Sequence, residues 1–193
     1  MAKAKPLTSL DPQASACQMA RRAVYVRLDE MYSWSADVDV PYEVRGLHNL
    51  RIAAKRLRYT LEIFEDVLPA PCQAFADELA QVQDELGALH DNDVMIALLR
   101  LCMGSEDAGL SYEQALVKAG RQKSKAKLLL PPDMVAAVLD PDVAPNPGQR
   151  YGLEQLLLKQ SESREEHYQA FRRHWHQLQA RDFRRELLDI LQG

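Results

Sequence analysis

The chain has 193 residues, of which 47% are hydrophobic and 27% charged, a balance that excludes wholesale disorder and suits one globular domain or a core with an appendage. Eight glycines and 7% aromatics disfavour a β-sandwich or barrel. The formal charge of −4, from 24 Lys+Arg and 28 Asp+Glu, argues as a bare sum against a generic nucleic-acid or anionic-surface binder.

Met1 to Leu10 contains no apolar run of the secretory kind. The longest aliphatic run, Val94 to Leu99, is far short of the roughly 20 residues that span a bilayer. Cys17, Cys72 and Cys102 are widely spaced and form no C-x-x-C pair, so reduced thiols and a cytoplasmic location are expected. There is no glycine-rich phosphate loop, nucleophile elbow or H-E-x-x-H motif. No catalytic residue, metal ligand or cofactor is expected.

Asp11-Pro12 predicts a helix start, and Cys17, Ala20, Val24, Leu28 and Met31 then recur at helical spacing to about Trp34. Ser33 to Val40 predicts a polar connection. A second helix is expected from Pro41 to about Leu68, stopped by Pro69 and Pro71. A third should run from Pro71 to about Gly87, and a fourth, capped by Asp91 or Asn92, to Met103-Gly104. Tyr112 to Leu130 is a basic helical candidate, and Pro131 to Pro147 predicts an irregular stretch. A long helix from about Tyr151 to Ala180 and a last one over Asp182–Leu191 follow. The expected fold is all-α, an antiparallel bundle of about six to eight helices. Residues 1–11 should be a flexible N-terminus and 12–193 one domain, with an irregular insertion at about 104–150.

The second helix carries the chemistry. At about 100° per residue, Leu47, Leu50, Ala54, Leu57, Leu61 and Phe64 share one face. His48, Arg51, Lys55 and Arg58 share an adjoining one. Between Val44 and Arg58 stand Arg45, Arg51, Lys55, Arg56 and Arg58 with no acid. Such like charges destabilise an isolated helix. Arg45 to Arg58 covers roughly 20 Å at 1.5 Å per residue, a span suited to an extended polyanion. The alternative is a structural charge network. From Tyr59 to Leu99 the charged residues are Glu62, Glu65, Asp66, Asp77, Glu78, Asp84, Glu85, Asp91 and Asp93, all acids.

The string His48-x-x-Arg51-x-x-x-Lys55-Arg56-Leu57-Arg58-Tyr59-x-x-Glu62 resembles the signature helix of the CHAD family, the conserved-histidine α-helical domains. Leu86-Gly87-x-x-x-Asp91-x-x-Val94 is similar to that family's helix junction, and Tyr168-x-x-Phe171-x-x-x-Trp175 to its closing helix. The resemblance implies non-catalytic binding of inorganic polyphosphate by a basic surface or pore, in some members at granules. Carried over by position, His48, Arg51, Lys55 and Arg58 would be the main contacts, with Arg56 and Arg45 beside them. Family members commonly carry the motif twice. One copy is clear here, so a homodimer would restore a complete pore.

Further candidates are Arg27, flanking the first helix's apolar stripe, and Arg164 and Arg172 on the long C-terminal helix. Arg164 falls within an apolar stripe, where a guanidinium must find a partner or ligand. Tyr168, Phe171 and Trp175 are expected in the core, and His167 and His174 in solvent. Lys118, Arg121, Lys123, Lys125 and Lys127 form a second basic run, expected as a solvated segment. The helical aromatics are expected with the apolar stripes, so polyphosphate is favoured over DNA or RNA. His48, with an ordinary pKa of about 6.5, should favour binding at lower pH. The alternatives are an HD-type metal-dependent phosphohydrolase using His48, His90 and Asp91, and a purely structural helical adaptor.

Overall fold

A computed structural model describes residues 4–8, 13–103 and 145–192. Among them there are five α-helices, one 3-10 turn and no strand, so the described residues are all-helical, with five helices where six to eight were expected of the whole chain. The basic candidate helix 112–130 and the run Lys118–Lys127 lie outside the described residues. So does most of the Pro-rich stretch.

The helices are α1 (Ala16–Tyr32), α2 (Val44–Ile63), α3 (Cys72–Cys102), α4 (Pro147–Ala180) and α5 (Phe183–Gln192), with the 3-10 turn at Ser35–Asp39. The first helix starts at Ala16 and is capped by Ser15; the expected cap, Asp11, lies outside the described residues. The Ser15 hydroxyl accepts from the Gln18 amide while the Gln18 side chain accepts from the Ser15 amide. This reciprocal box satisfies two otherwise orphaned donors. Asn146 and Gln149 repeat the device, which starts α4 at Pro147, four residues before the expected Tyr151. The second helix starts at Val44 instead of Pro41 and ends at Ile63.

The expected break between a third and a fourth helix is absent: α3 runs unbroken through Gly87 and Asp91. A single helical glycine costs only about 1 kcal/mol. Buried Leu79, Val82, Leu86, Leu89 and Ile96 keep a helical period across the site and outweigh it. Asp91 is therefore exposed within a helix and caps nothing.

The chain divides into two compact units. The first joins residues 2–87 with 168–193. Its core takes Val24, Leu28 and Met31 from α1, Leu50, Leu57 and Leu61 from α2, and Leu79 and Leu86 from α3. Tyr168, Phe171 and Trp175 of α4 and Phe183 and Leu187 of α5 complete it, so the three aromatic core assignments on α4 hold. The Phe75 and Phe183 rings meet edge-on at 5.0 Å between centroids. Asp182 turns the chain from α4 into α5 at φ 61°, a left-handed conformation that aspartate tolerates better than most residues. The 3-10 turn buries Val38 completely, and the Tyr168 hydroxyl donates to the Val38 carbonyl at 2.9 Å. The expected polar connection thus sends one residue, Val38, into the core.

The second unit holds the described residues 88–103 and 145–167. Asp93 lies within an apolar stripe there, and Arg164 donates to it at 2.5 Å. Both side chains are at most 6% exposed. Burial pushes the Asp93 carboxyl up, and the Arg164 charge opposes that rise. Beside this pair the Asn92 amide bonds the Ala88 carbonyl at 3.0 Å and the His167 ring at 2.7 Å.

Candidate functional site: a cation band on α2

The apolar stripe of α2 faces the core, and its two edges present cations in different settings. On one edge, Arg56 reaches Glu30 of α1, whose carboxylate also accepts from Arg27 at 2.7 Å. Arg27 donates as well to the Lys5 carbonyl at 2.8 Å. The Glu30 side chain is only 3% exposed. Arg27 and Arg56, both expected at the anion site, are thus engaged in a tie between α1 and α2. Arg45 lies roughly 20° from Arg56 on the helical wheel, on this same edge, and is exposed.

The other edge carries His48, Arg51, Lys55 and Arg58, all half-buried. The Nε of Arg51 is buried and has no hydrogen-bond partner among the described residues. It lies over α3 at Gly87: a Cβ placed there would sit 3.8 Å from it. A longer side chain at Gly87 would cover the guanidinium. Arg51 and Lys55 have no carboxylate partner among the described residues. Arg58 does have one, donating from Nε to Glu62 at 2.7 Å. The Glu62 bond is the main cause that holds the Arg58 pKa above its ordinary value, with the Asp84 charge adding to it.

Tyr59 corrects the expectation that aromatics avoid the basic face. Its ring is 42% exposed. Lys55 Nζ lies 5.4 Å from its centroid and Arg58 Cζ 5.3 Å. The signal was in the string Lys55-x-x-Arg58-Tyr59, because positions i and i+4 meet on a helix. Arg21 of α1 likewise has a buried Nε with no hydrogen-bond partner among the described residues.

Two more candidates, Arg164 and Arg172, have protein partners. Arg164 is bonded to Asp93 within the unit 88–167. Arg172 donates to Asp39 at 2.7 Å, and His176 bonds the same oxygen at 3.0 Å. Those contacts hold Asp39 below the usual carboxylate range. His174 bonds Glu85 at 2.8 Å, so neither it nor His167 is a simply solvated histidine.

Among the described residues, no group of three or more His, Cys, Asp or Glu side chains is placed to hold a metal ion. No helix there is long and apolar enough to cross a membrane. Cys17, Cys72 and Cys102 are free thiols, and burial raises the pKa of the latter two.

A family model for the CHAD domain matches residues 2–100. No curated protein and no solved structure matches the chain.

Proposed function

This chain belongs to the CHAD domain family, and from that membership and the setting of α2 we propose that it binds inorganic polyphosphate without catalysis. Arg51 and Lys55 carry the proposal: two cations one helical turn apart, on an edge flanked by Gly87, with no carboxylate partner among the described residues. Leaving cations half-buried and unneutralised is unfavourable unless an anion completes the site. Guanidinium forks and lysine point charges would neutralise successive phosphates. Release of counterions from the chain would supply much of the free energy. His48 joins them on the same edge. A homodimer would double the band, and association with polyphosphate granules follows from the same chemistry.

A gel shift with long-chain polyphosphate tests this. Wild type should retard the polymer, and Arg51→Ala/Lys55→Ala should not. Equal retardation by both would make the band structural. Competition by single-stranded RNA at equal phosphate concentration should be weaker than by polyphosphate.

A further inference from the structure

Resting on the polyphosphate reading, we propose that Glu62 ends the anion track at Lys55, so that the α2 edge engages a short run of phosphates and Arg58 stays outside it. The sequence presents His48, Arg51, Lys55 and Arg58 as one continuous row. The structure divides that row by what α2 and α3 place beside each cation. At Arg51 the α3 wall is Gly87, which offers no side chain. Glu62, one turn further along α2, closes on the Arg58 Nε at 2.7 Å, and the Asp84 charge adds weakly to its hold on Arg58. A phosphate arriving at Arg58 would meet a carboxylate already bonded to the guanidinium. Arg51 and Lys55 carry no such bonded carboxylate among the described residues.

Arg45 is exposed and turned roughly 120° from Arg51 on the helical wheel, so it is not counted in the row. The usable track is then His48 to Lys55, about 10 Å at 1.5 Å per residue, half the span read from the sequence. Glu62 is the residue that sets the limit. It is part exposed and bonded to Arg58 alone among the described residues. Removing its charge releases Arg58 into the track.

The test is a salt titration of long-chain polyphosphate binding, with tripolyphosphate as the short probe. The proteins are full-length wild type, Glu62→Gln, Arg58→Gln/Glu62→Gln and Lys55→Gln, each checked for an unchanged helical circular dichroism signal. Glu62→Gln should bind the long chain about threefold or more tightly at low salt, with a log–log salt slope steeper by about 0.7, the single-strand value for one added phosphate contact. The double variant should stay within about twofold of wild type with an unchanged slope, while Lys55→Gln loses affinity and slope together. Tripolyphosphate binding should not respond to Glu62→Gln. Either of two results overturns the proposal: a double variant as impaired as Lys55→Gln, or a Glu62→Gln variant identical to wild type. If wild type binds neither probe at any salt, the functional reading itself falls, which is a separate outcome.

Discussion

Arg27 donates to Glu30 across 2.7 Å, and the second oxygen of the same carboxylate takes Arg56 from the neighbouring helix. One buried acid therefore accounts for two of the cations that the sequence offers as ligand contacts. Removing a buried partner from an ion pair costs about 3–5 kcal/mol, because the remaining charge stays desolvated. Glu30→Gln should lower the unfolding free energy in urea by about 3 kcal/mol. An apolar trio, Glu30→Leu with Arg27→Met and Arg56→Leu, should recover most of it. A Glu30→Gln variant as stable as wild type would show that the tie contributes nothing.

Gly46 is needed for a close approach. A Cβ there would overlap the Asp37 side chain, including its own Cβ, which cannot swing away. The 3-10 turn and the first turn of α2 would have to separate. Gly46→Ala should cost about 1–3 kcal/mol, the usual range for forcing atoms into a packed site. Thermal unfolding checks this, and an unchanged or raised melting temperature would contradict the contact.

The helices were legible because their apolar stripes are regular, as at Leu47, Leu50, Ala54, Leu57 and Leu61. The break expected near Gly87 was not real, because a local glycine signal is weaker than a stripe of buried leucines on either side. Val38 and Tyr168 show the converse: a polar-looking connection is buried by a contact 130 residues away, which no local pattern encodes. Within the site, the row of cations on α2 was legible as a helical face. Which of them are neutralised was not, since Arg56 answers to Glu30 on another helix. Glu62 stood in the motif itself, but its effect on Arg58 depends on side-chain geometry.

Asp39 should make the anchoring of the 3-10 turn acid-sensitive. Its folded pKa is lowered, chiefly by the Arg172 bond and then by the His176 bond. A lowered carboxylate contributes stability above its unfolded pKa of about 3.9 and loses it as pH falls through the lower folded value. The melting temperature of Asp39→Asn should therefore lie below wild type at neutral pH, and the two curves should converge as pH drops below about 3.9. A gap that persists unchanged into strong acid would rule out this linkage. The exposed setting keeps the effect small.

Tyr59 should matter through its ring. Exposed cation–π contacts contribute about 0.5–1 kcal/mol, and Tyr59 makes one with Lys55 and one with Arg58. Tyr59→Leu should weaken polyphosphate binding about two- to fivefold by letting the Lys55 side chain wander, with Tyr59→Phe near wild type. Equal losses in both variants would point to the hydroxyl instead.

The central claim is that Arg51 and Lys55 are the cations left for a polyanion. Its most direct test is the dissociation constant for long-chain polyphosphate across a salt series, in wild type and in Arg51→Ala/Lys55→Ala. Wild-type affinity should fall steeply with salt, and the double variant should bind at least about tenfold more weakly at low salt, with a slope shallower by about 1.4, two phosphate contacts at the single-strand value. Identical affinities and slopes in the two proteins would contradict the account.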